Sequence, residues 1–314
     1  MSAAILMLLL GLFLTVKGGD LFVDAAVWFS EALGVPAFLV GATVVSLATT
    51  LPELAVSMLA TGRGAAGIAA GNAVGSVAAN LGLILGISLC FSPAPLDLRQ
   101  AGRLLAMAGA AALLSLLCRG SAVAMPMALL PLGLCAAFLW HSAADGRKHA
   151  RTHSQHASRP SPGLLAGCGM RFVCGAAGIA AGARLLCDYG ATLARLCGVP
   201  DGVIGATLVA VGTSLPELVT TLTALTRGEG SLSVGNIVGA NIIDLTLILP
   251  LCALQNGGRL PLPRQSLMLD LPFCLMLCAL AVAPPLLTGR FWRSQGAALL
   301  GAYGWYVILV IRGL

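Results

Sequence analysis

Long apolar stretches, interrupted by one clearly hydrophilic segment, limit what this chain can fold into. A membrane-spanning helix requires about 20 predominantly apolar residues, and ten stretches of the 314-residue sequence suit such helices. They lie near residues 3–30, 36–60, 67–91, 102–118, 121–140, 163–196, 202–226, 231–255, 266–288 and 292–311. The first and sixth are long, which predicts tilted helices. The sequence therefore predicts an all-α integral membrane protein with ten transmembrane helices, the first of which begins within residues 1–16.

The composition excludes several classes of protein. Only 10% of the residues are charged and 58% are hydrophobic, whereas soluble domains carry about 25% charged residues. The excess of 18 Lys and Arg over 12 Asp and Glu is typical of basic cytoplasmic loops, and no basic run interleaved with aromatic residues indicates nucleic-acid binding. The ten cysteines are scattered without a CxxC pair, which argues against a disulfide framework or a metal cluster.

The hydrophilic segment spans residues 141–163 and separates a first half, residues 1–140, from a second half, residues 164–314. The positive-inside rule places this basic linker in the cytoplasm. With five spans on each side, both termini are then expected outside a multi-pass inner (cytoplasmic) membrane protein. A solvated linker is the favoured interpretation, although a transition-metal site or a pH sensor would use its histidines. The basic residues and histidines of this segment are Arg147, Lys148, Arg151, Arg159, His141, His149, His153 and His156.

The two halves repeat each other. Residues 41–86 align without a gap with residues 205–250, at a constant offset of 164 positions, and 20 of these 46 positions are identical. Since each half holds an odd number of spans, the second copy must enter the membrane in the opposite sense. The sequence thus predicts two five-helix repeats of inverted topology, an arrangement in which secondary transporters bind substrate near the midplane of the bilayer.

The first repeated segment carries one glutamate in each half, within GATVVSLATTLPEL and GATLVAVGTSLPEL. An ionised side chain at this depth costs about 2.5–3.5 kcal/mol on insertion scales, which indicates a function. Pro52 and Pro216 each remove a helical donor and free a carbonyl. Helical spacing puts the remaining polar positions of each copy on the face of its glutamate. These positions are Ser46, Thr49, Thr50 and Glu53, and Ala210, Thr213, Ser214 and Glu217.

The second repeated segment reads GNAVGSVAANLGLILG and GNIVGANIIDLTLILP, residues 71–86 and 235–250. Its glycines allow close helix approach, so its polar face can meet the helix that carries the glutamate. We expect Glu53, Asn80, Glu217 and Asp244 to converge. Three carboxylates and an amide without a basic neighbour require cations or protons, and hard cations such as Ca²⁺ prefer such oxygen ligands.

These segments resemble the two alpha-repeats of the cation/calcium antiporter superfamily, specifically the prokaryotic sodium/calcium exchangers. The resemblance covers both halves and implies ten helices, alternating access and exchange of Ca²⁺ for Na⁺. It also implies that the long first and sixth helices slide against the core. By the same resemblance, Glu53 and Glu217 bind Ca²⁺, with Asn80 and Asp244 at the other central positions.

The resemblance also implies sodium ligands, together with one departure. Hydroxyls and carbonyls that precede the prolines contribute to the ion sites, and Ser76 matches a further sodium-coordinating serine. Its partner in the second repeat is Ala240, which lacks the usual hydroxyl. The implied sodium positions are Ser46, Thr49, Thr50, Ala210, Thr213, Ser214 and Ser76.

The sequence-based prediction is a Ca²⁺/Na⁺ antiporter that is not an enzyme. It has no resident cofactor, and its partners are the transported ions and the lipid bilayer, with no nucleic acid and no obligatory protein partner. Three alternatives remain. Coupling to H⁺ or K⁺ would keep the fold, a passive cation channel would not need an inverted repeat, and an intramembrane hydrolase would need a nucleophile–base pair, whereas no histidine lies within a span.

Overall fold

A computed structural model describes residues 2–93, 95–118, 122–125, 127–153, 161–197 and 210–312. Helices dominate this part of the chain. The helices are α1 (Ser2–Leu33), α2 (Ala37–Gly62), α3 (Ala66–Phe91), α4 (Leu98–Leu117), α5 (Leu129–His153), α6 (Pro162–Leu196), α7 (Ala210–Thr213), α8 (Leu215–Thr226), α9 (Gly230–Gln255), α10 (Ser266–Thr288) and α11 (Arg293–Arg312).

Eight helices in the described residues are long and apolar enough to cross a membrane: α1, α2, α3, α4, α6, α9, α10 and α11. They coincide with eight of the ten stretches expected from the sequence. The chain is therefore a largely helical membrane protein. The seventh expected span, residues 202–226, falls partly outside the described residues. Its described part consists of α7 and α8, which meet at Ser214.

The start predicted for the fifth span, residues 121–140, was wrong. Residues Ala122–Ala124 form a short strand, β1, and the helix begins only at Leu129. Pro126 disfavours helix at the residue before it, and the Met125 N–H donates instead to the Gly258 carbonyl at 2.8 Å. The helix then continues into the hydrophilic segment as far as His153.

Strand β1 pairs antiparallel with β2 (Arg259–Pro261), with Val123 opposite Leu260. The expectation of a purely helical chain therefore needs one correction, a two-stranded sheet. Both strands are three residues long. Their pairing joins the segment before α5 to the segment after α9. Periodicity over three residues is too short to predict a strand.

The helix bounds reproduce the sequence repeat. Helices α3 and α9 begin and end 164 positions apart, and so do the first residues of α5 and α11. Each of α3 and α9 also contains a π-helical segment at the equivalent place, Asn80–Leu85 and Asp244–Ile248. Such wide turns inside α-helices are frequent at functional sites.

Helices α2 and α9 approach backbone to backbone through glycine. A Cβ atom added at Gly239 would lie 2.5 Å from the Ala42 carbonyl oxygen and 2.5 Å from Ser46 Oγ, and one added at Gly235 would collide with the Phe38 carbonyl. The glycines of this motif therefore hold α9 directly against the backbone of α2.

This contact yields a stability test. We expect Gly239→Ala to lower the unfolding free energy by about 1–3 kcal/mol, because the new methyl group overpacks the contact between α2 and α9. Gly301→Ala, at an exposed glycine of α11 where an added Cβ meets no described atom within 4 Å, is the control and should leave the thermal midpoint of the detergent-solubilised protein nearly unchanged. Equal midpoints for the two variants would contradict the described packing.

Candidate functional site

The two glutamates are held by hydroxyls from opposite halves of the chain. Ser214 Oγ donates a hydrogen bond to Glu53 Oε1 at 2.7 Å, and Thr50 Oγ1 donates to Glu217 Oε1 at 3.3 Å. Thr50 and Ser214 occupy equivalent repeat positions, as do the glutamates. All four side chains are buried, both glutamates completely. The two LPE motifs therefore meet in a reciprocal arrangement at the centre of the protein.

The proline of each motif serves a different local structure. Pro52 lies inside the continuous helix α2, whereas Pro216 lies in the first turn of α8, just after Ser214. Proline is tolerated in a first turn because its missing N–H would have no helical acceptor there. Ser214 thus stands at a break between α7 and α8, from which its hydroxyl reaches Glu53.

The other two central residues contact each other directly. Asn80 Nδ2 donates to Asp244 Oδ2 at 3.4 Å, and both side chains are completely buried. Each is the first residue of a π-helical segment, in α3 and α9 respectively. The predicted convergence of the two amide and acid positions is therefore seen in the structure.

Each central side chain keeps one oxygen that accepts no hydrogen bond. These buried oxygens are Oε2 of Glu53, Oε2 of Glu217, Oδ1 of Asp244 and Oδ1 of Asn80. Buried polar atoms normally have hydrogen-bond partners. In the described part of the chain no ion pair involves these acids. An oxygen-rich, acidic and uncompensated site suits a hard cation.

No group of three or more His, Cys, Asp and Glu side chains that could hold a metal ion occurs among the described residues. The acids are instead distributed over two acid–hydroxyl pairs and one acid–amide pair. This mixture of carboxylate, amide and hydroxyl oxygens suits a cation that binds and leaves.

The other expected ligands lie around this centre, with different partners. Thr49 Oγ1 lies 3.4 Å from Asn236 Oδ1 and 3.3 Å from the Ser46 carbonyl, and Ser46 Oγ donates to the Thr43 carbonyl at 3.1 Å. Thr213 ends α7 and is half-buried, and Ala210 begins that helix. The structure thus brings Thr50 and Ser214 onto the acids, with Thr49 also beside Glu217, whereas the Ser46 hydroxyl bonds within its own helix.

Asn72 has a larger role than its sequence position indicated. Its Nδ2 donates to the Glu53 carbonyl at 3.2 Å and to Ser57 Oγ at 3.0 Å. It therefore ties α3 to α2 beside the glutamate. Its partner Ser57 lies four residues after Glu53, on the same face of α2. This spacing was the only indication in the sequence that Ser57 lies near the glutamate.

Asp270 in α10 is a buried acid that the repeated motifs do not contain. This buried carboxylate accepts hydrogen bonds from Ser266 Oγ at 2.9 Å and from the Tyr306 hydroxyl at 3.0 Å. It joins α10 to α11, and its repeat counterpart is Ala106. An acid in the apolar stretch 266–288 was visible, but the repeat drew attention only to matched positions.

Comparisons with known proteins agree with this site. The family profile described as Sodium/calcium exchanger protein matches residues 3–144 and 170–312. The sodium/calcium exchanger MaX1 of Methanosarcina acetivorans is 34% identical, and the alignment covers 97% of each chain. The inner membrane protein YrbG of Escherichia coli is 31% identical over 83% of this chain and 82% of its own length.

A solved structure has the same fold. The sodium-calcium exchanger NCX_Mj, soaked with 2.5 mM Na⁺ and 10 mM Sr²⁺, superposes with a TM-score of 0.85 at 28% sequence identity, over 99% of both chains. The structural similarity therefore extends over the whole length rather than over the repeated motifs alone.

The site predicts binding that can be measured without transport. We expect Ca²⁺ to raise the thermal midpoint of the solubilised protein, because a ligand at 100 times its Kd stabilises by about 2.7 kcal/mol. Glu217→Gln should remove most of this shift. Asp270→Asn, which changes a buried acid outside the site, should keep it. An equal Ca²⁺-dependent shift in Glu217→Gln and the unchanged protein would contradict the site.

Proposed function

Since this chain belongs to the sodium/calcium exchanger family, we propose that it is a secondary active antiporter that exchanges Ca²⁺ for Na⁺ by alternating access. The matched family and the relative MaX1 are exchangers rather than enzymes. The observation that carries the proposal is the reciprocal pair of bonds, Ser214 to Glu53 and Thr50 to Glu217. It makes a single acidic site from both halves of the chain.

Glu53 and Glu217 are the principal calcium ligands in this proposal, and Asn80 and Asp244 complete the site. Two ionised glutamates balance the charge of one Ca²⁺. Each of the four side chains presents one oxygen without a hydrogen-bond partner, and Ca²⁺ takes six to eight oxygens at about 2.3–2.6 Å. Pro52, inside the continuous helix α2, frees a backbone carbonyl that can supply a further oxygen.

Sodium is proposed to bind the hydroxyls and carbonyls around the same centre, and Ser76 supplies one hydroxyl. Its hydroxyl is buried and interacts with the Glu53 carboxylate. The counterpart Ala240 is completely buried and has no side-chain oxygen. The two halves therefore offer different numbers of sodium ligands. The proposed sodium positions are Ser46, Thr49, Thr50, Ser76, Ala210, Thr213 and Ser214.

The proposed topology has ten spans in two inverted five-helix repeats, with the basic linker in the cytoplasm and both termini outside. The matched bounds of α3 and α9 support the repeat. Helices α1 and α6 pack closely through glycines, since a Cβ at Gly175 would lie 2.8 Å from the Gly18 carbonyl. A smooth contact between two long helices is suited to their sliding together against the core.

Transport by glutamate variants tests the proposal directly. Glu53→Gln and Glu217→Gln are each expected to abolish radiocalcium uptake into vesicles loaded with Na⁺, because each removes half of the charge that balances Ca²⁺. Glu229→Gln alters a glutamate that precedes α9, away from the site, and should retain uptake. Normal uptake in both site variants would refute the assignment.

The coupling ion can be tested at Ala240. We expect Ala240→Ser to lower the Na⁺ concentration for half-maximal Ca²⁺ exchange, because it adds a hydroxyl ligand.

The coupling ion itself is identified by measuring Ca²⁺ fluxes in vesicles with Na⁺, K⁺ or H⁺ as the sole counter-ion. Exchange that is as fast in a pH gradient without sodium would replace Na⁺ by H⁺, and Ca²⁺ flux that needs no counter-ion would indicate a channel.

A further inference from the structure

A cavity of about 390 Å³ lies between α4 and α5, away from the ion site. Its lining is apolar at one end and polar at the other, with Ala106 and Phe138 opposed to Arg103, Ser142 and Asp145. Helix α5 enters the polar end as its sequence changes from apolar to charged. The cavity therefore has the two-part chemistry of an amphiphilic ligand.

The polar end carries one strong cation and one anion. An Arg103 Nη2 donates to Asp145 Oδ2 at 3.1 Å, and His141 Nδ1 lies 3.4 Å from the same oxygen. Arg103 is only 6% exposed. The Ser142 hydroxyl is buried in this lining without a hydrogen-bond partner, although buried hydroxyls normally have one. A ligand oxygen is the partner that this position lacks.

Helix α5 places the cavity at the membrane–water boundary. Trp140 is 72% exposed, and the Arg147 guanidinium lies over its ring, 5.8 Å from the ring centroid. Tryptophans concentrate at the membrane–water boundary. Leu134 and Phe138 precede Trp140, and Asp145 follows it. Since a helix rises about 1.5 Å per residue, the cavity extends from the level of lipid chains to the level of headgroups.

We propose that this cavity binds one zwitterionic phospholipid with a primary ammonium headgroup, of the phosphatidylethanolamine class. The phosphate accepts hydrogen bonds from Arg103 and Ser142, the ammonium donates to Asp145, and an acyl chain follows Phe138. The paired charges favour a zwitterion over an anionic lipid. A quaternary ammonium has no N–H to donate to Asp145, which disfavours phosphatidylcholine.

Native mass spectrometry of the purified protein, titrated with phosphatidylethanolamine, phosphatidylcholine or phosphatidylglycerol, tests this site. We expect tightest binding of phosphatidylethanolamine, and a loss of about tenfold or more in Asp145→Asn, since a charge-assisted hydrogen bond is lost. Arg147→Gln, which removes a charge outside the cavity lining, should bind as the unchanged protein does. Ser142→Ala removes a neutral hydrogen bond and should weaken lipid binding less than Asp145→Asn does. Phosphatidylethanolamine should remain the most tightly bound of the three lipids.

Two results would overturn the lipid site. Equal binding of all three lipids, with no effect of Asp145→Asn or Ser142→Ala, would show that the cavity does not distinguish one lipid headgroup from another. Binding of soluble glycerophosphoethanolamine or inorganic phosphate as tightly as the lipid would show that the ligand is a water-soluble phosphate compound.

A second observation concerns Arg227, which follows α8. Its guanidinium contacts Asp24 of α1 and donates to Asp20 of α1 at 3.0 Å. The repeat counterparts of Arg227, Asp24 and Asp20 are Arg63, Asp188 and Arg184. In the second half Asp188 lies 3.7 Å from Arg184 of its own helix, and Arg63 makes no ion pair with a described residue. The cross-helix contact of Arg227 thus has no equivalent at Arg63 among the described residues.

The geometry points to a pair of alternating clamps. Resting on the proposed alternating access, the Arg227–Asp24 pair breaks when α1 and α6 slide, and the symmetry-related Arg63–Asp188 pair forms. The second clamp has one carboxylate, because Arg184 replaces the counterpart of Asp20. It is therefore the weaker clamp, and the protein favours the conformation that Arg227 holds.

Cysteine cross-linking in a background without the native cysteines tests the clamps. We expect the pairs 24–227 and 63–188 each to cross-link with a thiol-specific reagent, and the first cross-link to prevent the second when all four cysteines are present. Arg184→Asp, which adds the missing carboxylate, should increase 63–188 cross-linking severalfold.

The cross-linking pattern is read separately from Ca²⁺ flux, so its failure differs from failure of the proposed function. A 63–188 pair that never cross-links, or that forms together with 24–227, would overturn the clamps even if Ca²⁺ transport is normal. Arg195→Gln, a charge removal near the end of α6, serves as the control and should leave both yields unchanged.

Discussion

The cost of burying carboxylates in a membrane governs this structure. Three acids lie completely buried at its centre, where an ionised side chain is expensive. The protein provides each glutamate with one hydroxyl donor from the other half of the chain, and no basic side chain pairs with them in the described residues. The remaining oxygens keep their capacity for a cation. The arrangement satisfies the acids enough to fold but not enough to make an ion unnecessary.

This balance depends on close approach of helices. Gly239 brings α9 against the backbone of α2 at Ala42 and Ser46, so that the segment with Asp244 lies beside the segment with Glu53. The π-helical turns that begin at Asn80 and Asp244 occur where these two side chains meet. Packing and chemistry thus use the same short segments, because only small residues allow backbones with polar side chains to come this near.

The two halves are similar in sequence but differ in conformation. The helix that carries Pro52 is continuous, whereas its counterpart is broken at Ser214 between α7 and α8. Arg227 is paired across helices, whereas Asp188 pairs within its own helix. A protein whose repeats adopt two conformations at once has a ready second state, in which the repeats exchange them, and this is what alternating access requires of an inverted repeat.

Much of the centre could be predicted from sequence because it repeats. Glu53, Glu217, Asn80 and Asp244 were identified as matched polar residues in apolar stretches, and the structure brings them together. The helical spacing also identified Thr50 and Ser214, but it could not show that each hydroxyl would bond to the glutamate of the opposite half.

Unmatched features were missed for the same reason. Asp270 has no acidic counterpart, and β1 is too short to leave a periodic signal, so neither stood out before the fold was known. The sequence by itself determined a membrane-embedded, duplicated and acidic cation site, because hydropathy and repetition are local properties of the chain. Only the tertiary structure decided which oxygen accepts which hydrogen bond, because these bonds join residues more than 160 positions apart.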